Sequence, residues 1–67
     1  METNRPPTQR QIECFDAFAR LGDQRLAARA LGLSVSRLKR NVLEHNRRLG
    51  ANSSIQAAYL RWAPKAG

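Results

Sequence analysis

Ala27-Ala28-Arg29-Ala30-Leu31-Gly32-Leu33-Ser34-Val35-Ser36-Arg37-Leu38-Lys39-Arg40 is the stretch on which the reading of this chain turns. Ala28 is followed four residues later by Gly32, then by Leu33 and by Ser34, a good helix N-cap. Two helices that cross steeply need a small side chain where they meet. They also need a residue tolerant of positive φ in the short turn between them. Ala28 and Gly32 supply both, while Ala27, Leu31, Leu33 and Leu38 offer an apolar seam. The stretch predicts a helix-turn-helix unit.

The punctuation on either side extends this to four helices. Pro6-Pro7 cannot lie inside a helix, so residues 1–7 read as a flexible arm. Thr8 is an N-cap with Gln11 three residues on, a capping-box pattern. A first helix from about Gln9 stops at Leu21 before Gly22, with Cys14, Phe15, Phe18 and Leu21 at helical spacing. Asp23 caps a second helix over about 24–31, and Ser34 caps a third that ends near Leu49, before Gly50. Asn52 or Ser53 caps a fourth that ends before Pro64. No segment alternates apolar and polar residues over a strand's length. The expectation is an all-α domain over 8–63, with a disordered tail at 64–67.

Turning the third helix by about 100° per residue separates two faces. Val35, Leu38, Val42, His45 and Leu49 share an apolar arc that must face the core. Opposite them lie Ser36, Arg40, Leu43 and Arg47, with Arg37 and Arg48 on one flank and Lys39 at the other boundary. The segment carries five positive charges and a single negative one, Glu44. A solubility face ordinarily mixes both signs, so this imbalance points to a polyanion. A helix of this kind fits the major groove of B-DNA, where Arg and Lys reach guanine and an apolar side chain such as Leu43 meets the thymine methyl.

Composition agrees. The 67 residues carry 12 Lys and Arg against 5 Asp and Glu, a net charge of +7. Residues 34–67 hold seven of the basic residues and one acid, whereas residues 1–33 hold five and four. A chain of this size buries only about 60% of its unfolded surface, which argues against a deep catalytic pocket. The lone Cys14 permits no internal disulfide, and no Cys/His cluster suggests zinc. Cys14 reads as a buried, inert thiol rather than a redox sensor, and His45 as a packed, hydrogen-bonded core residue rather than a switch or ligand. No nucleophile has an identifiable base, so neither enzyme chemistry nor a cofactor is expected. Without a secretory segment or an apolar run of about 20 residues, a cytoplasmic protein with no membrane contact is expected. The fourth helix is apolar on two sides: Ile55, Tyr59 and Trp62 share one, while Ala57 and Leu60 point elsewhere. Trp62 and Ile55 either complete the small core or face a partner.

These residues together resemble the LuxR/GerE-type helix-turn-helix DNA-binding domain. Pro7-Thr8-Gln9-Arg10-Gln11 stands where the family opens with Leu-Thr-x-Arg-Glu. Ala27-Ala28, Leu31 and Leu33-Ser34 follow its Ile-Ala, Leu and Ile-Ser, and Arg37-Leu38-Lys39-Arg40-Asn41 stands for Thr-Val-Lys-x-His. Arg48-Leu49-Gly50-Ala51-Asn52-Ser53 with Gln56-Ala57 matches Lys-Leu-Gly-Val-x-Ser and Gln-Ala, without a gap from Pro7 to about Trp62. The resemblance implies a four-helix domain whose third helix enters the major groove and whose fourth dimerises. By position it implies Lys39, Arg40 and Leu43 at base edges, Ser36 and Arg37 near phosphates, and Ile55, Tyr59 and Trp62 at the dimer interface. The seven-residue arm before the domain leaves no room for a sensor domain, so the resemblance is to free-standing members. The expected partners are double-stranded DNA and a second copy of the chain. The competing expectation is a small interaction module, an antiactivator or adaptor, whose partner is another transcription regulator.

Overall fold

The computed structural model describes residues 5–62. They form four α-helices and, among the described residues, no strand: α1 (Gln9–Leu21), α2 (Gln24–Leu31), α3 (Val35–Leu49) and α4 (Ser54–Trp62). Residues 1–4 and 63–67, which include most of the expected arm and all of the expected tail, lie outside the described residues.

Local chemistry sets each boundary. At α1, Gln11 N–H donates to Thr8 Oγ1 at 3.2 Å and Thr8 N–H donates to Gln11 Oε1 at 3.0 Å, a complete capping box. Asp23 Oδ1 accepts from Arg25 and Leu26, and Ser34 Oγ accepts from Arg37. Of the two candidate caps for α4, Ser53 does the work: its hydroxyl accepts from Gln56 N–H, while Gln56 Oε1 covers the Asn52 N–H. Helices α2 and α3 end alike. Leu33 N–H returns to Ala28 O and Gly32 N–H to Arg29 O; Ala51 N–H returns to Asn46 O and Gly50 N–H to Arg47 O. These paired bonds need a left-handed residue, and Gly32 (φ 69°) and Gly50 (φ 79°) provide it. Open space surrounds both, so backbone conformation alone demands glycine there.

Helix α1 packs on α2 and α3, α2 on α3, and α4 on α3. The core between them consists of Cys14, Phe15, Ala27, Ala28, Leu38, Val42, Ala51 and Ala57, with Phe18, Leu31, Leu33, Leu49 and Ala58 half-buried around it. Its centre is aromatic. The Phe15 ring stacks on the fully buried His45 ring at 4.2 Å and 12°, and Trp62 packs on Phe15 at 5.5 Å. His45 Nδ1 and Asn46 Oδ1 are 3.0 Å apart, and Asn46 Nδ2 donates to Ser54 Oγ, so a buried polar chain links α3 to α4. With its hydrogen on Nδ1, His45 leaves Nε2 as a buried acceptor with no partner among the described residues. Arg61 closes the same corner. It pairs with Asp16 at 2.7 Å and lies over the Phe15 and Trp62 rings.

Three details of the expected core differ. Leu21, at helical spacing with Cys14, Phe15 and Phe18, is 46% exposed, because it ends α1 beyond the covered part of that face. Val35 remains 37% exposed, because burial on α3 begins a turn later, at Leu38. Asn46, by contrast, is buried through its bonds to His45 and Ser54.

Two outcomes follow from this packing. Leu38→Ala removes a fully buried side chain at the meeting of α2 and α3, and urea denaturation should show a loss of about 2–5 kcal/mol. The 48% exposed Leu26 should lose far less on the same truncation. Burial, reinforced by the nearby Arg61 charge, holds the His45 pKa below its ordinary 6.5 despite the Asn46 bond and Asp16. The unfolded chain therefore takes up a proton before the folded one does. Stability should be full well above pH 6.5 and fall as the pH drops through the interval just below it, where carboxylates still hardly titrate. The urea midpoint of His45→Phe, which keeps an aromatic stack, should lack that decline.

Candidate functional site

The exposed side of α3 is set by what its other side buries. Leu38, Val42, His45 and Asn46 face the core, which turns the intervening residues outward. Ser36, Lys39, Arg40, Leu43, Glu44 and Arg47 line one shallow groove along that outer surface. Leu43 is 64% exposed in its midst, a large apolar side chain surrounded by charge. Arg37 lies one turn from the N-cap and is exposed; its N–H is already used by Ser34.

The five cations of α3 fall into two groups. Arg37, Lys39 and Arg40 form no ion pair among the described residues and extend into solvent. Arg47 and Arg48 are both tied to Glu44: Arg47 Nη1 reaches Oε1 at 3.3 Å and Arg48 Nε reaches Oε2 at 3.4 Å. Arg47 remains 79% exposed even so, whereas Arg48 is only 28% exposed and also approaches the Pro6 carbonyl at 3.5 Å. Arg48 thus fastens the segment before α1 to the end of α3. The groove gathers Ser36, Lys39, Arg40, Leu43 and Arg47; Arg37 and Arg48 stand to one side of it.

The other surface of interest lies on α4. Ile55 is 84% and Tyr59 70% exposed, while Ala57 is fully buried and Ala58 half-buried. Trp62 divides its surface: one side rests on Phe15 and under Arg61, and the remainder is open. It serves the core and the α4 surface together. An apolar crevice lined by Phe15, Phe18, Ala19, Gly22, Ile55 and Ala58 runs beside this face.

Two groups were not anticipated from the sequence. Glu44 organises the C-terminal half of the basic face, and its i+3 and i+4 spacing to two arginines was the available signal. Arg61 anchors α4 through Asp16, 45 residues away, and no signal in the sequence pointed to that partner. No group of three or more metal-ligating side chains occurs among the described residues, and no helix there is long and apolar enough to cross a membrane. Burial pushes the Cys14 thiol above its ordinary pKa, so it is a poor nucleophile. What the surface offers is fixed positive charge, hydrogen-bond donors and one apolar contact on a rigid helix. That chemistry suits binding. No protein-family model, curated protein or solved structure matches the chain.

Proposed function

We propose that this protein is a sequence-specific DNA-binding transcriptional regulator of the LuxR/GerE helix-turn-helix type, acting as a small homodimer with α3 in the major groove. The observation that carries this reading is the outer surface of α3. Unpaired Lys39 and Arg40, exposed Leu43 and a hydroxyl from Ser36 share one groove on a helix rigidly seated by its opposite side. Lys39 and Arg40 have the reach and donors for guanine O6 and N7, and Leu43 suits a thymine methyl. Arg37, Arg47 and the α3 N-terminus would contact phosphates on the groove walls, which position the helix without reading sequence. Two copies paired through Ile55, Tyr59 and the open side of Trp62 would present two such helices to a pseudo-palindromic site. The apolar exposure of α4 also favours the second reading, an adaptor that captures another regulator through that helix.

Titration of the chain against duplexes selected from a random pool tests the proposal. Salt-dependent binding with an enriched sequence is the expected result, and its absence overturns the reading. Arg40→Ala should lose about 1–3 kcal/mol of discrimination at one base position. Arg37→Ala should weaken all duplexes alike and reduce the salt slope by about one. Tyr59→Asp should leave helix content intact and shift the sedimenting species to monomer; an unchanged dimer would remove α4 from the interface. Nuclease treatment separates the two readings, since an adaptor keeps its protein partner once DNA is gone.

A further inference from the structure

Glu44 is the one acid on α3, and it lines the same groove as Lys39, Arg40 and Leu43. A carboxylate there is costly on a surface meant to meet phosphates. Its two ion pairs, one to the exposed Arg47 and one to the half-buried Arg48, are short-range helix pairs of a kind that adds little to stability. Solubility does not require it in a chain of net charge +7.

We infer that Glu44 is a specificity-determining residue, a carboxylate whose negative charge opposes indiscriminate phosphate binding along the groove and which accepts a hydrogen bond from an exocyclic base amine at the correct site. This rests on the DNA-binding reading above. In the free protein, each carboxylate oxygen engages one arginine. When Arg47 turns to a phosphate, Oε1 loses its partner while still facing the groove. Against cytosine N4 or adenine N6, that oxygen regains a donor. Opposite guanine O6 or thymine O4 it meets another acceptor, and an acceptor left without a donor in an interface is penalised. Nonspecific complexes carry that penalty at most positions. The ligand class is accordingly a duplex presenting cytosine or adenine in the major groove beside the bases met by Arg40 and Leu43.

Glu44→Gln and Glu44→Ala provide the test, each first checked for helix content by circular dichroism. The full chain and both variants are titrated by fluorescence anisotropy, over a range of NaCl, with a duplex enriched by the unaltered chain and with an unrelated duplex of equal length. The variants should bind the unrelated duplex more tightly, with a salt slope steeper by about one. Their preference for the enriched duplex should fall about 5- to 150-fold. Repeating the enrichment with Glu44→Ala should lose a cytosine or adenine position that the unaltered chain retains. If both variants keep the same preference, salt slope and enriched sequence, the inference is overturned while the DNA-binding reading stands. If the unaltered chain enriches no sequence, both are overturned.

Discussion

The stack of Phe15 on His45 is the contact from which the rest of the arrangement follows. At 4.2 Å and nearly parallel, the two rings fix α1 against α3 at the most enclosed point of the molecule. The same phenylalanine also packs against Trp62, with the Arg61 guanidinium nearby, and the same histidine is continued by Asn46 to Ser54. Helices α1, α3 and α4 are therefore held at one corner by two rings and their immediate partners. In a chain too small for a large core, large flat side chains supply much contact area for few residues. Burial beside Arg61 also favours the uncharged imidazole in this stack.

That corner determines what α3 is free to do. With Leu38, Val42, His45 and Asn46 committed to the core, the outer residues are left on a helix that cannot roll or slide without breaking the stack. A binding helix benefits from such fixation, because side chains presented on a rigid element pay less ordering entropy on binding. The α2–α3 turn adds to this rigidity through its paired Gly32 and Leu33 bonds.

Most of the fold was legible because it is written in local chemistry. Capping side chains and left-handed glycines act over three to five residues, so the four helices coincide with the segments that Thr8, Asp23, Ser34, Gly22, Gly32 and Gly50 delimit. Periodicity likewise marked Leu38, Val42 and His45. It failed at Val35 because periodicity gives a direction and not the extent of the covering helix. It passed over Asn46 because an amide looks solvent-facing until its hydrogen-bond partners are known, although Val42, Asn46 and Leu49 lie at core spacing. The contacts of Arg48 with Pro6 and of Arg61 with Asp16 span 42 and 45 residues, a separation that no local pattern encodes. The basic face itself was legible as composition; its division between free and Glu44-bound cations was not, since side-chain geometry decides it.

That division changes what the net charge of +7 means. A count treats every arginine as equally available to a polyanion. Here Arg61 is neutralised by Asp16 and sits against aromatic rings, Arg10 is paired with Glu13, and Arg48 is drawn down onto Glu44 and Pro6. The freely offered charge on α3 is Arg37, Lys39 and Arg40, all in its N-terminal half, where the helix dipole adds further positive potential. In the C-terminal half, Arg47 and Arg48 share the Glu44 carboxylate, so less net positive charge is offered there. An anion approaching α3 therefore meets a gradient along the helix. On the proposed reading, that gradient brings the N-terminal half of α3 to the phosphates first, before any base is contacted.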